Sequence, residues 1–222
     1  MAMTGGLRCV DLPRFADTPL ATEPFRHAVV PHFVRADALS AVARDFPAVV
    51  ERGSIPVGVT RFGPAFAALL ADLRSPDLCA VIEDKFDVDL QDRPIMITVR
   101  GCLAVRDGRV HTDTATKLVT MLIYVNESWD AAGGRLRLLR SADDLDDYAI
   151  EVPPVDGTLV IFRPTDRSYH GHRPAIGRRR VVQVNWMARA GVKRREELRH
   201  TVSFWSKSLR RTLRQRHVAE PA

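Results

Sequence analysis

From Pro94 to Met187 the chain is written as short runs rich in β-branched and aromatic residues, cut by Gly, Asp, Asn and Pro. That pattern leaves little choice of architecture. Strands this short, separated by turn residues, pair antiparallel and bury their apolar faces against one another, as a sandwich or jelly roll. Lys117 to Asn126 reads as one such strand, Gly133-Gly134-Arg135-Leu136 opens a second, and Gly157 to Phe162 is a third. Upstream the period changes. Phe25 to Phe33 reads as a short strand and Arg35 to Phe46 as a helix, with Ala38, Leu39, Val42 and Phe46 on one side and Pro47 ending it. Two further helices are expected over Pro64–Arg74 and Pro76–Phe86, Pro76 standing at a helix start where its missing N–H costs little.

The fold class expected is therefore α+β, mainly β. The chain has 222 residues, enough for one sizeable core. A single domain over 1–222 is the simplest division: a helical support region at 1–93, a β core at 94–190 and a basic extension at 191–222.

The candidate chemistry falls inside the β segment. His111-Thr-Asp113 places a histidine and a carboxylate two apart, so on a strand both point to one face and can reach the same ion. One distant histidine completes a two-histidine, one-carboxylate set, which suits a borderline divalent metal such as Fe(II) and leaves about three coordination positions open. Tyr169-His170-Gly171-His172 offers two such histidines, His170 and His172. Beyond them Arg178, Arg179 and Arg180 alternate between faces, and an arginine fork suits a carboxylate bidentately. Lys117 reads as an exposed strand-edge lysine, and His27, His32, His200 and His217 as surface or internally satisfied histidines.

Taken in order, His111-Thr-Asp113, Val119 to Asn126 with Tyr124, Trp129-Asp130, Gly133-Gly134, Asp156-Gly157, Phe162, His170-Gly171, Pro174, Arg180 and Trp186 resemble the Fe(II)/2-oxoglutarate-dependent dioxygenases, in their prolyl 4-hydroxylase-like branch. The resemblance covers roughly Ile95 to Trp186. It implies a double-stranded β-helix (jelly-roll) core with His111, Asp113 and His170 on the iron, His170 rather than His172 being the residue before the glycine. It further implies Arg180 on the far carboxylate of 2-oxoglutarate, with Tyr124 hydrogen-bonded to that carboxylate and Thr120 lining the same pocket. Arg180 is preferred to its neighbours because it lies ten residues after His170 and six before Trp186, which leaves Arg178 and Arg179 as solvated charges. Fe(II) is the implied cofactor, 2-oxoglutarate and O2 the cosubstrates, and ascorbate a stimulant. Asp113 favours hydroxylation over halogenation, since halogenating relatives lack the carboxylate. One departure touches the substrate side: Arg100 to Arg106 lacks the tyrosine that relatives often place before the first histidine.

Charge adds a separate feature. The net charge of +6 resides in 192–222, where nine Lys or Arg face three Glu. Leu198, Val202, Trp205, Leu209 and Leu213 form one stripe there, so a basic amphipathic helix is expected to dock the stripe on the core and offer its basic face to an acidic partner. Three cysteines without paired spacing, and no stretch of about 18 apolar residues, lead to the expectation of a cytoplasmic protein without a transmembrane segment. The reading that results is a hydroxylase releasing succinate and CO2 from 2-oxoglutarate while oxidising a small-molecule or peptide substrate. The alternatives are a catalytically silent jelly-roll binding module and a nucleic-acid oxidative demethylase; a nucleic-acid partner fits the arginine spacing poorly.

Overall fold

A computed structural model of the chain describes residues 9–219, with side chains as far as Ser208. Helix α1 (Leu12–Asp17) precedes strand β1 (His27–Val30), α2 (Ala36–Asp45), β2 (Ile55–Pro56), α3 (Pro64–Asp72) and α4 (Pro76–Phe86). The β segment follows as β3 (Ile95–Leu103), β4 (Lys117–Tyr124), β5 (Leu136–Leu139), β6 (Tyr148–Val152), β7 (Leu159–Phe162), β8 (His170–Gly171) and β9 (Gly177–Met187), and α5 (Ala190–Ala219) closes the chain. The strands form a six-stranded sheet, β1-β7-β4-β9-β3-β2, and a three-stranded sheet, β6-β5-β8, with every strand pair antiparallel. The expected class, mainly β with supporting helices, is what forms.

Local rules explain the element ends. Pro47 forces the extended conformation seen at Phe46 and so stops α2. Pro64 and Pro76 each sit in the first turn of a helix, and Ser75 accepts a hydrogen bond from the Leu78 amide as cap of α4. Helix α3 is capped from a distance: Asp45 at the end of α2 accepts from the Ala65 amide at 2.7 Å. The proline-punctuated start, which carries no clear period, nevertheless holds α1, capped by Asp11.

Strict alternation divides the large sheet between two jobs. Val119, Met121 and Ile123 of β4, Leu159 and Ile161 of β7, and Val182, Val184 and Trp186 of β9 face one way. They pack with Phe15, Val42, Phe66, Leu69, Leu78 and Ile82 of the four leading helices, and this is the main core. The opposite face carries Tyr124, Val160, Phe162 and Val181, which meet Leu136, Leu138 and Val152 of the small sheet in a second apolar cluster. The remaining space between the sheets stays polar, and it holds the candidate site.

One expectation fails here. Along α5 the stripe faces outward, with Leu198, Val202 and Trp205 at 64%, 59% and 60% exposure, whereas Glu196 and His200 turn toward the pocket and Phe204 packs on the core. The helix lies on the rim of a polar pocket, so its polar residues are the better match; Lys207 ties it down by donating to the Arg52 carbonyl at 2.9 Å. Leu209 and Leu213 lie outside the described side chains. The acidic stretch Ser141 to Asp147 is a largely exposed loop that is tied to the small sheet. Asp146 pairs with both Arg137 and Arg173, and Arg137, buried on the outside of the small sheet, also holds Glu151 at 2.5 Å and stacks over Tyr148. No helix among the described residues is long and apolar enough to cross a membrane.

Leu138 is fully buried where the two sheets meet and lies directly opposite His170 in the β5–β8 pair. Leu138→Ala is expected to destabilise the protein by about 2–5 kcal/mol, seen as a lower urea midpoint with unchanged slope.

Candidate metal centre and its pocket

Two backbone hydrogen bonds set the site. The His111 amide donates to the His170 carbonyl at 3.1 Å and the His170 amide returns the bond at 3.0 Å, so the two residues form a single antiparallel bridge. Their rings come to 4.3 Å between centroids although 59 positions separate them. Each imidazole is then oriented by its own loop. Nδ1 of His111 lies 2.8 Å from the Arg109 carbonyl, and Nδ1 of His170 lies 2.9 Å from the Ser168 carbonyl. A carbonyl can only accept, so Nδ1 carries the proton in both rings and Nε2 keeps its lone pair for a ligand.

Asp113 completes the group: one ligand atom from each of His111, Asp113 and His170 lies within 4.8 Å of the others. The strand argument for His111 and Asp113 does not describe how this comes about. His111 is an isolated bridge residue and Asp113 lies in the loop before β4. What fixes Asp113 is its two oxygens, one accepting from Lys117 Nζ and the other from Thr120 Oγ1, both at 2.6 Å. Lys117, expected at an exposed edge, is accordingly 15% exposed and ion-paired. Burial alone would raise the Asp113 pKa; the Lys117 charge, the neighbouring His170 and the two hydrogen bonds hold it below its ordinary value. His170 is pushed down to about 4 by burial and by the adjacent His111. The centre therefore presents a neutral imidazole and an ionised carboxylate near neutral pH, which are the forms that bind metal.

The cavity around this group is about 280 Å³ in volume and is lined from both sheets and from α5. Its floor shows which arginine belongs to it. Arg179, Val181, Gln183 and Asn185 of β9 line the cavity, while Val182, Val184 and Trp186 face the main core. Arg180 is absent from the lining, so the expectation that it faces this pocket is not met, and Arg179 is the arginine found there. A bulge accompanies the change: Arg100 pairs with Val181 and Cys102 with Arg178, which leaves Arg179 and Arg180 opposite Gly101 alone. Asn126 secures it, accepting from the Arg180 amide at 2.8 Å and donating to the Arg180 carbonyl at 3.2 Å. Arg179 is buried and donates to the Tyr124 hydroxyl at 3.2 Å, over whose ring its guanidinium lies at 4.9 Å. Burial lowers the Arg179 pKa and raises that of Tyr124; the phenol therefore keeps its proton, and the guanidinium keeps its own because its ordinary pKa lies far above neutrality.

Tyr124 and Thr120 line the cavity as expected. His172 also lines it but lies outside the three-residue group: its Nδ1 faces the Arg173 carbonyl at 2.9 Å, and burial pushes its pKa down to about 4. Gly108 makes room for it. With φ at +94°, and with any added Cβ only 2.3 Å from the His172 carbonyl oxygen, this position accepts glycine alone. Sequence reasoning missed Arg100, Lys117 and His200 as pocket residues. For this stretch of β9 the signal was present: Gln183 and Asn185 are polar at odd positions where Val182, Val184 and Trp186 are apolar, so the odd face was the site face.

Residues 102–188 match the family model of the 2OG-Fe(II) oxygenase superfamily, a family whose cofactor is Fe(II) and whose cosubstrates are 2-oxoglutarate and O2. A search of curated proteins found no match. Among solved structures, a Pseudomonas putida prolyl-4-hydroxylase superposes with a TM-score of 0.55 at 20% identity, over 85% of this chain and 97% of that one. Prolyl 4-hydroxylase from Phytophthora capsici gives 0.55 at 16% identity, over 85% and 69%. A Trichoplax adhaerens prolyl hydroxylase, in complex with a hypoxia inducible factor oxygen degradation domain peptide fragment, gives 0.50 at 14%, over 84% and 89%. The fold is thus the jelly roll of these enzymes, and the two-histidine, one-carboxylate donor set fits their ferrous ion.

Removal of single histidines separates ligand from neighbour. In Co(II) titrations without oxygen, His170→Ala is expected to weaken binding by about two orders of magnitude or more, while His172→Ala stays within about threefold of the parent.

Proposed function

We propose that the protein is an Fe(II)/2-oxoglutarate-dependent dioxygenase that hydroxylates a second substrate. His111, Asp113 and His170 hold the iron, and Arg179 with Tyr124 holds the far carboxylate of 2-oxoglutarate. One observation carries this reading. A two-histidine, one-carboxylate group shares a cavity with a buried arginine whose hydrogen bond goes to a tyrosine and to no carboxylate. A metal site alone has no use for such an arginine, and a site for a dicarboxylate needs both.

When bound, Fe(II) supplies the family's oxygen chemistry, in which 2-oxoglutarate is converted to succinate and CO2 as the second substrate is oxidised. The chain's own part is placement and electrostatics. Arg179 offers a charged fork to the carboxylate; the Tyr124 hydroxyl already accepts from Arg179, so its own proton is free to be donated to the same group. Lys117 and Thr120 keep Asp113 ionised and fixed in direction. Phe162 of the inter-sheet apolar cluster packs against the His170 ring, 5.0 Å between centroids. The Trichoplax relative's peptide makes a peptide one candidate for the second substrate, and the modest size of the cavity makes a small molecule another.

Succinate release from 2-oxoglutarate by the Fe(II)-supplied protein tests the reading directly. Asp113→Ala is expected to abolish it with the fold intact by circular dichroism; turnover that persists in Asp113→Ala would remove the carboxylate from the site. Arg179→Leu is expected to raise the KM for 2-oxoglutarate by about tenfold to a hundredfold, the loss of one charge-assisted hydrogen-bonded pair. Arg180→Leu should stay within about threefold, and the reverse order would return the anchor to Arg180.

A further inference from the structure

A second arginine stands in the same cavity. Arg100 of β3 is on the cavity face with Met96 and Thr98, and its Nε donates to Ser54 Oγ at 3.0 Å. No carboxylate among the described residues forms an ion pair with Arg100 or with Arg179, whose one hydrogen-bond partner is Tyr124. Around the cavity as a whole, Arg100, Lys117, Arg179 and Arg199 face Asp113 and Glu196 alone. Those two carboxylates are already committed, Asp113 to Lys117 and Glu196 to Arg199. A single dicarboxylate held by Arg179 leaves Arg100 without a counter-charge.

Position separates the two arginines. Arg179 and Tyr124 lie on β9 and β4, interior strands of the large sheet. Arg100 is drawn toward Ser54, the residue before the edge strand β2, and α5 packs chiefly against β2. Its charge is felt both by His172, which also feels Arg179, and by His200 on α5. Arg100 thus lies on the side of the cavity nearer β2 and α5, whose Arg199 and His200 line the same space. Beside it the buried Thr98 hydroxyl has no hydrogen-bond partner and faces the same space. Desolvation and the charge of Arg179 pull the Arg100 pKa down, so an incoming anion recovers free energy there.

We propose that the second substrate is a small carboxylate-bearing molecule, its carboxylate held by Arg100 under the rim formed by α5. This rests on the dioxygenase reading above. A carboxylate is favoured over a bulky polyanion because the cavity of about 280 Å³ takes the cosubstrate too, and a guanidinium fork with a neighbouring hydroxyl matches two oxygens.

The test uses the full chain loaded with Mn(II) and saturating 2-oxoglutarate without oxygen, titrated calorimetrically with acetate, benzoate and inorganic phosphate. A carboxylate is expected to bind saturably and more tightly than phosphate. Arg100→Gln should weaken it about tenfold or more while 2-oxoglutarate affinity stays within about twofold, Arg100→Lys should retain part of the binding, and Arg178→Gln on the surface should change neither. Absence of saturable carboxylate binding, or preference for phosphate, overturns the proposal. Loss of 2-oxoglutarate affinity in Arg100→Gln equal to that in Arg179→Leu overturns it as well, making Arg100 a second arm of the cosubstrate anchor. Failure of the parent protein to bind 2-oxoglutarate at all sinks the dioxygenase reading first and this proposal with it.

Discussion

The reciprocal pair of hydrogen bonds between His111 and His170 is the contact on which the site depends. It joins the loop that follows β3 to the short strand β8 and brings two imidazoles together from opposite ends of the β segment. Main-chain bonds at both residues fix separation and direction at once, more rigidly than side-chain packing alone would. The supporting contacts follow from it. Each ring is oriented by a carbonyl two residues earlier in the chain, and the loop carrying His111 passes close enough to His172 that only Gly108 fits beneath it. Leu138, paired with His170 across β5 and β8, ties the same bridge to the apolar cluster between the sheets.

The large sheet does two opposite things with one set of strands. Its outer parity is apolar and packs four helices, and its inner parity turns from apolar at Val160 and Phe162 to polar at Thr120, Gln183 and Asn185. That change, running from β7 across β4 to β9, leaves the space between the sheets apolar in one part and polar in the other. It also explains the behaviour of α5, which lays Glu196 and His200 over the polar part and leaves Leu198, Val202 and Trp205 outward. A helix with a clear apolar stripe is expected to bury it, and here the surface it meets decides otherwise.

Much of this was legible in the sequence because it rests on local rules. Proline at helix ends, strand period and turn residues gave the boundaries of α2 to α4, β4 and β7 closely. The metal group was legible as well, since His111, Asp113 and His170 are brought together as expected. The β9 arginine that lines the cavity was not, because counting from His170 pointed to Arg180, one residue past Arg179. The polar Gln183 and Asn185 mark the site face of β9, and the bulge at Arg179 and Arg180 interrupts the alternation by which that face could be counted back to the arginines. Lys117 and Arg100 were illegible for a different reason. Their roles come from Asp113 in the preceding loop and from Ser54 just before a neighbouring strand, contacts that no periodicity within their own segments encodes.

The central claim is that metal and dicarboxylate occupy one pocket and support each other's binding. The most direct test is the linkage between them: 2-oxoglutarate titrated without oxygen into the metal-free protein and into the Mn(II)-loaded protein, with the reciprocal metal titration in the presence of 2-oxoglutarate. The account predicts that each ligand raises the affinity of the other by the same factor, about tenfold or more. Equal 2-oxoglutarate affinity with and without the metal would contradict it.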